Sequence, residues 1–111
     1  MTIEVEADTV GLLMATAQHK GDLYITTLAR YGRSSAHAEA VDSRPLKVTA
    51  FGLRDDAQDA YAAFWRALMD LIDAGHSAYA MELNRNILTL AGEAQRIAIV
   101  RAHKDFSEAR Q

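Results

Sequence analysis

Two runs of apolar residues separated by one glycine constrain this chain more than any other feature. Over residues 57–72 and again over residues 80–97, apolar side chains recur three or four positions apart. This spacing places them on one face of a helix. Gly75 lies between the runs, and glycine suits the position after a helix end because it adopts the left-handed conformation without a Cβ clash. The pattern predicts helices over about 55–74 and 77–104, folded into an antiparallel hairpin.

The two predicted helices differ in length. Asp55 can cap the first one together with Gln58, as in a capping box, and Ser77 can cap the second. At about 1.5 Å per residue they are about 30 Å and 42 Å long, so roughly 12 Å of the second should overhang. Monomers seldom expose the apolar patch that this overhang would carry. We expect a second copy of the chain to cover it, with packing by residues 9–31 as the alternative.

The N-terminal part predicts another long helix over about residues 9–31. Its apolar residues keep one helical phase through Gly21, which we interpret as a bend because glycine in a helix costs about 1 kcal/mol relative to alanine. A helix break at Gly21 and a strand over 23–31 are the alternatives. Gly32 is predicted to end the helix, and residues 32–46 are predicted to form a loop.

Two short stretches are candidates for the strands of a β ribbon. Residues 2–6 and 46–51 alternate apolar and polar side chains, which is the period of a half-buried strand. A two-stranded ribbon is only marginally stable alone and would have to pack against the helices. Since 111 residues suit one domain, the sequence predicts a single, mainly α domain over residues 1–111, with or without this ribbon.

Composition excludes several classes of protein. The chain has no cysteine, which removes disulfide scaffolds, thiol nucleophiles and thiolate metal sites. Its formal charge of -3 argues against nucleic-acid binding, which requires a basic face. The N-terminus lacks the basic and apolar regions of a signal peptide, and no window is apolar enough to span a bilayer. We therefore expect a cytoplasmic protein with no membrane partner.

Patterns for catalysis or ligand binding are weak. No two of the four histidines have the helical spacing of a metal-binding pair. No serine has the strained setting of a hydrolase nucleophile, and no glycine-rich phosphate loop is present. We predict no catalytic, cofactor or metal site, and no enzymatic activity. The alternative is a small-molecule-binding or catalytic domain that uses His37, Glu39 and Asp42 in a loop of residues 37–42.

Charge is unevenly distributed along the chain. Residues 20–54 carry a basic excess, whereas residues 55–73 are acidic. This asymmetry can steer an acidic partner or let the two regions attract each other in a dimer. Weak nucleic-acid binding through residues 20–54 is a further alternative, although no recognition-helix pattern accompanies it.

Large apolar side chains on the hairpin are the candidates for contact with a protein partner or a second copy. Trp65 lies at the edge of its helix face, where large aromatics are frequent anchors of interfaces, and a core position is the alternative for it. The overhang adds further apolar residues. The predicted interface consists of Phe64, Trp65, Leu68, Ile72, Leu90, Ile97, Ile99 and Val100.

The chain resembles the small bacterial anti-activators of LuxR-type quorum-sensing regulators, the QslA type, in its size and helical character. The resemblance rests on the hairpin of residues 55–104. The resemblance concerns overall character, since no single motif carries it. It implies a helical regulatory protein that binds a transcription factor and disrupts its dimerisation. DNA binding would then fail because two half-sites require a dimer.

Overall fold

A computed structural model describes the backbone of residues 2–109 and the side chains of residues 9–108. Over this range the chain forms three long helices, α1 (Thr2–Val41), α2 (Arg44–Asp73) and α3 (Ser77–Ala109). They lie side by side in a rod of 66 × 22 × 19 Å. The mainly α prediction is confirmed.

The β ribbon is not formed. Residues 2–6 belong to α1 and residues 46–51 to α2, and no described residue lies in a strand. Each stretch is continuous with a helix of at least 30 residues. A helix satisfies every interior backbone group within one segment, whereas a ribbon of two short strands is marginal alone.

α1 is the central helix of the rod. α2 and α3 both pack along it and contact each other much less. On the α2 side, Gly21 lies beside Phe64 and Tyr24 meets Tyr61 with ring centroids 5.0 Å apart. Residue numbers rise on one helix as they fall on the other, so α1 and α2 are antiparallel.

α1 also packs along α3, and these two helices run parallel. Gly21 lies beside Ile87, and His37 stacks on Phe106 with ring centroids 4.3 Å apart. Residue numbers here rise together along both helices. Consecutive α2 and α3 therefore run in opposite directions, as the predicted hairpin requires, but the extensive packing expected between them is directed mainly at α1.

Two glycines within α1 permit this packing. A Cβ on Gly21 would lie 2.8 Å from the Cδ1 of Ile87 and 3.1 Å from the Cε1 of Phe64. A Cβ on Gly32 would lie 2.8 Å from the Cγ of Gln95. The prediction that Gly32 ends the helix is wrong, because both glycines sit inside α1, where they allow close approach of neighbouring helices.

The connection between α1 and α2 is short. Asp42 adopts a left-handed conformation with φ of 52°, and the N–H of Ser43 donates to the carbonyl of Ala38 at 3.4 Å. This is the hydrogen bond of a Schellman helix end, and aspartate tolerates the left-handed region better than most residues. The predicted loop over residues 32–46 is therefore wrong, since only residues 42–43 lie outside the helices.

α2 begins much earlier than predicted. Ser43 caps it, because its Oγ accepts a hydrogen bond from the N–H of Leu46 at 3.4 Å, and Pro45 occupies the first turn. Asp55 is an exposed residue in the helix interior. α2 is thus about 45 Å long and α3 about 50 Å, so the predicted overhang of roughly 12 Å shrinks to about one turn.

The turn between α2 and α3 is as expected at Gly75. Its φ is +92°, and the N–H of His76 donates to the carbonyl of Leu71 at 2.9 Å. A residue with a Cβ would be strained in this conformation. The prediction that Gly75 follows a helix end is confirmed.

The core lies where all three helices meet. Phe64 and Ile87 are 0% and 1% exposed and flank Gly21 from the two outer helices. Tyr61 and Ile72 are half-buried and pack against this cluster. The buried cluster comprises Ala17, Phe64, Ala67, Leu68, Leu71, Ala80, Leu83 and Ile87.

Further along α3 the buried face changes phase. Ala80, Ala91 and Ala102 are all 0% exposed, so the contact with α1 repeats every eleven residues. Such a repeat corresponds to about 3.7 residues per turn, whereas a strict alternation of three and four corresponds to 3.5. Leu90 and Ile97 keep the three-and-four spacing and were predicted as interface residues; they therefore lie off the buried face and are 50% and 46% exposed.

Gly21→Ala tests the close packing of Phe64 and Ile87 against α1 at Gly21. We expect it to lower the free energy of unfolding by about 1 kcal/mol, since crowding in a packed core costs about 1 to 3 kcal/mol and alanine regains only about 1 kcal/mol of helix propensity. Gly92→Ala is the matched control, because its Cβ would meet nothing within 4 Å, and it should stabilise the chain. Urea unfolding followed by circular dichroism measures both, and stabilisation by both would contradict the packing.

Candidate protein-binding surface

The structure divides the predicted interface residues into two groups. Phe64 and Leu68 are 0% and 1% exposed and belong to the core of their own chain. Ile72 is half-buried against that core, and half-buried Ile99 packs beside Gly32. These side chains lie inside the bundle because α2 and α3 direct their central apolar stripes at α1.

The other predicted residues are open to solvent. Trp65 is 39% exposed, Leu90 50%, Ile97 46% and Val100 62%. Trp65 lies on α2 and the other three on α3, and α2 and α3 each pack mainly on α1. The structure therefore presents two exposed apolar surfaces on different helices.

The first surface, here named the α2 stripe, follows the outer edge of α2. Phe51, Trp65 and Met69 are 57%, 39% and 40% exposed, and Gln58 and Ala62 complete the stripe at intervals of seven, four, three and four residues. All five therefore lie on one face of the helix. Sequence reasoning missed Phe51 and Met69 here, although they lie fourteen residues before and four residues after Trp65 and therefore on the same helix face.

A cation lies at the N-terminal part of the α2 stripe. The guanidinium of Arg54 sits 5.0 Å from the ring centroid of Phe51. A cation over an aromatic face at this distance is attracted by the ring and helps to orient it. Aromatic residues, methionine and arginine are the side chains enriched in protein interfaces, and the stripe together with the neighbouring Arg54 presents all three types.

The second surface, here named the α3 stripe, covers the outer face of α3. Its six exposed residues follow intervals of seven, four, three, four and three; they are Tyr79, Asn86, Leu90, Glu93, Ile97 and Val100. Arg96 and Arg101 flank Ile97 and Val100, and together these four side chains line a shallow cleft of about 270 Å³. The apolar part of this stripe is thus bordered by positive charge. Sequence reasoning missed Tyr79, which lies one seven-residue interval before Asn86.

A groove follows the seam between α1 and α2. Two adjoining clefts of about 260 Å³ and 210 Å³ share Tyr31 in their walls. Tyr24 and Tyr61 line the first cleft, and burial together with the neighbouring Tyr61 phenol raises the pKa of Tyr24 above its usual value. The second is flanked by the side chains of Glu39 and Lys47. The groove is open along its length, so it offers a small ligand little enclosure compared with a typical binding cavity.

Residues 37–42 do not form the predicted loop. His37 is half-buried and stacked on Phe106. Asp42 forms an exposed ion pair with Lys47 at 2.7 Å, and the hydrogen bond from that ammonium, with its charge, lowers the pKa of the Asp42 carboxyl. Within the described part of the chain, no group of three histidine, aspartate or glutamate side chains is placed to hold a metal ion.

The helices and stripes together define an elongated three-helix bundle with two exposed apolar surfaces. Among the residues described, no helix contains a segment long and apolar enough to cross a membrane. No family model, no curated protein and no solved structure matches the chain. The α2 stripe and the α3 stripe are therefore the features that indicate a function.

Phe64 and Trp65 are neighbours in sequence but differ in role, which a pair of substitutions can test. Phe64→Ala should lower the free energy of unfolding by about 3 to 5 kcal/mol, as expected for a large aromatic removed from a core. Trp65→Ala should change it by no more than about 1 kcal/mol, because its side chain is at the surface. Thermal and urea unfolding measure both. A loss at Trp65 equal to that at Phe64 would show that Trp65 belongs to the core.

Proposed function

We propose that this protein is a non-enzymatic regulator that binds another protein through the α2 stripe, and that it acts as a homodimer. The observation that carries the proposal is the exposure of Phe51, Trp65 and Met69 in one line on a helix. Burying a large apolar side chain is worth about 1.5 to 3 kcal/mol. A partner that covers all three would gain several such contributions, less the cost of association.

The shape of the α2 stripe indicates the kind of partner. From Phe51 to Met69 it extends over about 27 Å of helix, and its residues belong to a helix already held by packing on α1. A preformed helix loses little entropy on binding. Its side chains at intervals of three, four and seven suit a hydrophobic groove or the exposed face of another helix.

Charge beside the α2 stripe favours a protein over a nucleic acid. Asp55 and Asp59 are exposed on the flank of the stripe on either side of Gln58, whereas Asp56 is exposed on another face of the helix. Negative charge at this place opposes contact with phosphates. It suits a partner whose apolar groove has a basic rim, and such complementarity raises association rates and excludes wrong partners.

The specific form of regulation that we propose is anti-activation. A helical regulator that dimerises through apolar helices exposes, as a monomer, the type of surface that the α2 stripe can cover. Occupying that surface would prevent dimerisation and thereby binding to paired half-sites on DNA. The support is the overall resemblance to anti-activators of LuxR-type regulators together with the exposed stripe.

The test is capture of the partner by matched variants. Tagged wild-type protein, Trp65→Lys, Met69→Lys and Leu23→Lys would each be incubated with lysate of the source cells. Leu23 is the control, since it is 42% exposed but lies on α1. We expect the wild type and Leu23→Lys to retain one partner near equal stoichiometry, and the α2 variants to retain at least tenfold less, as for residues central to an interface.

Two results bear on the form of regulation. If the retained partner is a transcription factor, adding the wild-type protein should release it from its DNA site, and adding Trp65→Lys should not. Equal retention by all four proteins would contradict binding through the α2 stripe. Release of DNA without loss of the regulator's dimer would contradict anti-activation by competition.

A further inference from the structure

We propose that the α3 stripe is the contact between two copies of this chain, paired antiparallel about a two-fold axis at Thr89. The inference rests on the homodimer of the proposed function and names its interface. It does not involve the α2 stripe, which stays open to a partner. The spacing of exposed residues along α3 and two charges beside them support this pairing.

The α3 stripe has the spacing of a helix-pairing seam. From Tyr79 to Val100 it extends over about 32 Å, and its residues recur at the intervals of three and four that keep one face toward a neighbouring helix. Four of its side chains are large and apolar, and they are 37% to 62% exposed. This seam is separate from the eleven-residue contact of α3 with α1, because the two repeats follow different phases.

Charged residues flank the seam symmetrically about Thr89. Glu82 and Arg96 lie seven residues before and after it, so all three side chains follow one edge of the seam. Glu82 and Arg96 are both exposed, and neither has a hydrogen-bond or ion-pair partner within the described part of the chain. They are opposite charges placed at equal distances from a midpoint.

A two-fold axis at Thr89 pairs these charges. It brings Glu82 of one copy opposite Arg96 of the second, and the same operation brings Arg96 opposite Glu82. An isologous contact forms each such pair twice. Parallel pairing of α3 would instead place this edge of the two copies on opposite flanks of the seam, where Glu82 cannot reach Arg96. Charge complementarity therefore selects a second copy in the antiparallel orientation.

The same register matches the apolar residues of the seam. In an antiparallel helix pair the seam layers are displaced by about two residues from the contacts at the edge, so with Glu82 opposite Arg96, Ile97 faces Tyr79 of the second copy and Leu90 faces Asn86. Each of these layers also occurs twice. A polar asparagine at a seam position is a known determinant of register and oligomeric state, which it sets at some cost in stability.

Glu93 is the charged residue of the seam. In this register it lies opposite Leu83, which is only 8% exposed because it is buried in the core of its own chain. Little of the second copy therefore covers the Glu93 carboxylate, and it stays hydrated. This avoids the cost of burying an unpaired charge.

Charge reversal with mixing tests the register. Light scattering should give a dimer for the wild type, and Glu82→Arg and Arg96→Glu should each weaken it about tenfold or more, because each homodimer then contains two like-charge pairs. Both positions are exposed, so the fold should be retained. In an equimolar mixture, the new arginine at position 82 meets the new glutamate at position 96, and the unchanged Arg96 and Glu82 also meet. The mixture should therefore recover dimers, and these should contain one copy of each variant.

Arg66→Glu is the control, because it makes the same charge change at an exposed position on α2; it should leave the dimer unchanged. Dimers that persist in both single variants, or a mixture that stays monomeric, would overturn this interface while leaving a homodimer through another surface possible. A wild-type protein that is monomeric at all concentrations would overturn the interface and the homodimer together. None of these outcomes affects partner capture by the α2 stripe.

Discussion

The contact of Phe64 and Ile87 with the bare backbone of Gly21 is the interaction on which the rest of this structure depends. It brings α2 and α3 to the same place on α1, where a side chain larger than hydrogen would be crowded by atoms 2.8 Å and 3.1 Å away. From that point each outer helix follows α1 in its own phase. The central apolar faces of α2 and α3 are thereby buried against α1, and the side chains at the margins of those faces remain at the surface.

The sequence predicted the parts of the fold that depend on local chemistry. Gly75 was recognisable as a helix end because its left-handed conformation is a local requirement, and the three-and-four spacing of apolar residues over 57–72 and 80–97 predicted helices there. Gly32 was misassigned because glycine serves both as a helix terminator and as a site of close approach. Only the position of Gln95 against it distinguishes the two roles. The predicted loop failed for a related reason, since Ala36 and Ala38 are 3% and 1% exposed and pack closely within the bundle.

The sequence predicted only part of the candidate surfaces. Trp65 and Val100 were predicted as interface residues and are exposed, whereas Phe64 was assigned to the same interface but lies in the core. A difference of one residue rotates a side chain by about 100°, so neighbouring positions at the edge of a stripe cannot be separated without knowing what covers the helix. Two stripes on separate helices would allow one chain to bind the proposed second copy and the proposed partner at the same time. That division of surfaces is the physical basis of the proposed regulation.

A distance between α1 and α3 tests the central role of α1 most directly. The chain has no cysteine, so Arg33→Cys and Asp105→Cys would introduce two unique sites for spin labels, at residues whose side-chain atoms approach to 3.4 Å. Labelled protein diluted with unlabelled protein would report distances within one chain by pulsed electron paramagnetic resonance. A single narrow distribution at short distance is the predicted result, since parallel packing holds these positions together. A long or broad distribution would show that α3 is not held along α1 and would contradict the α1-centred bundle.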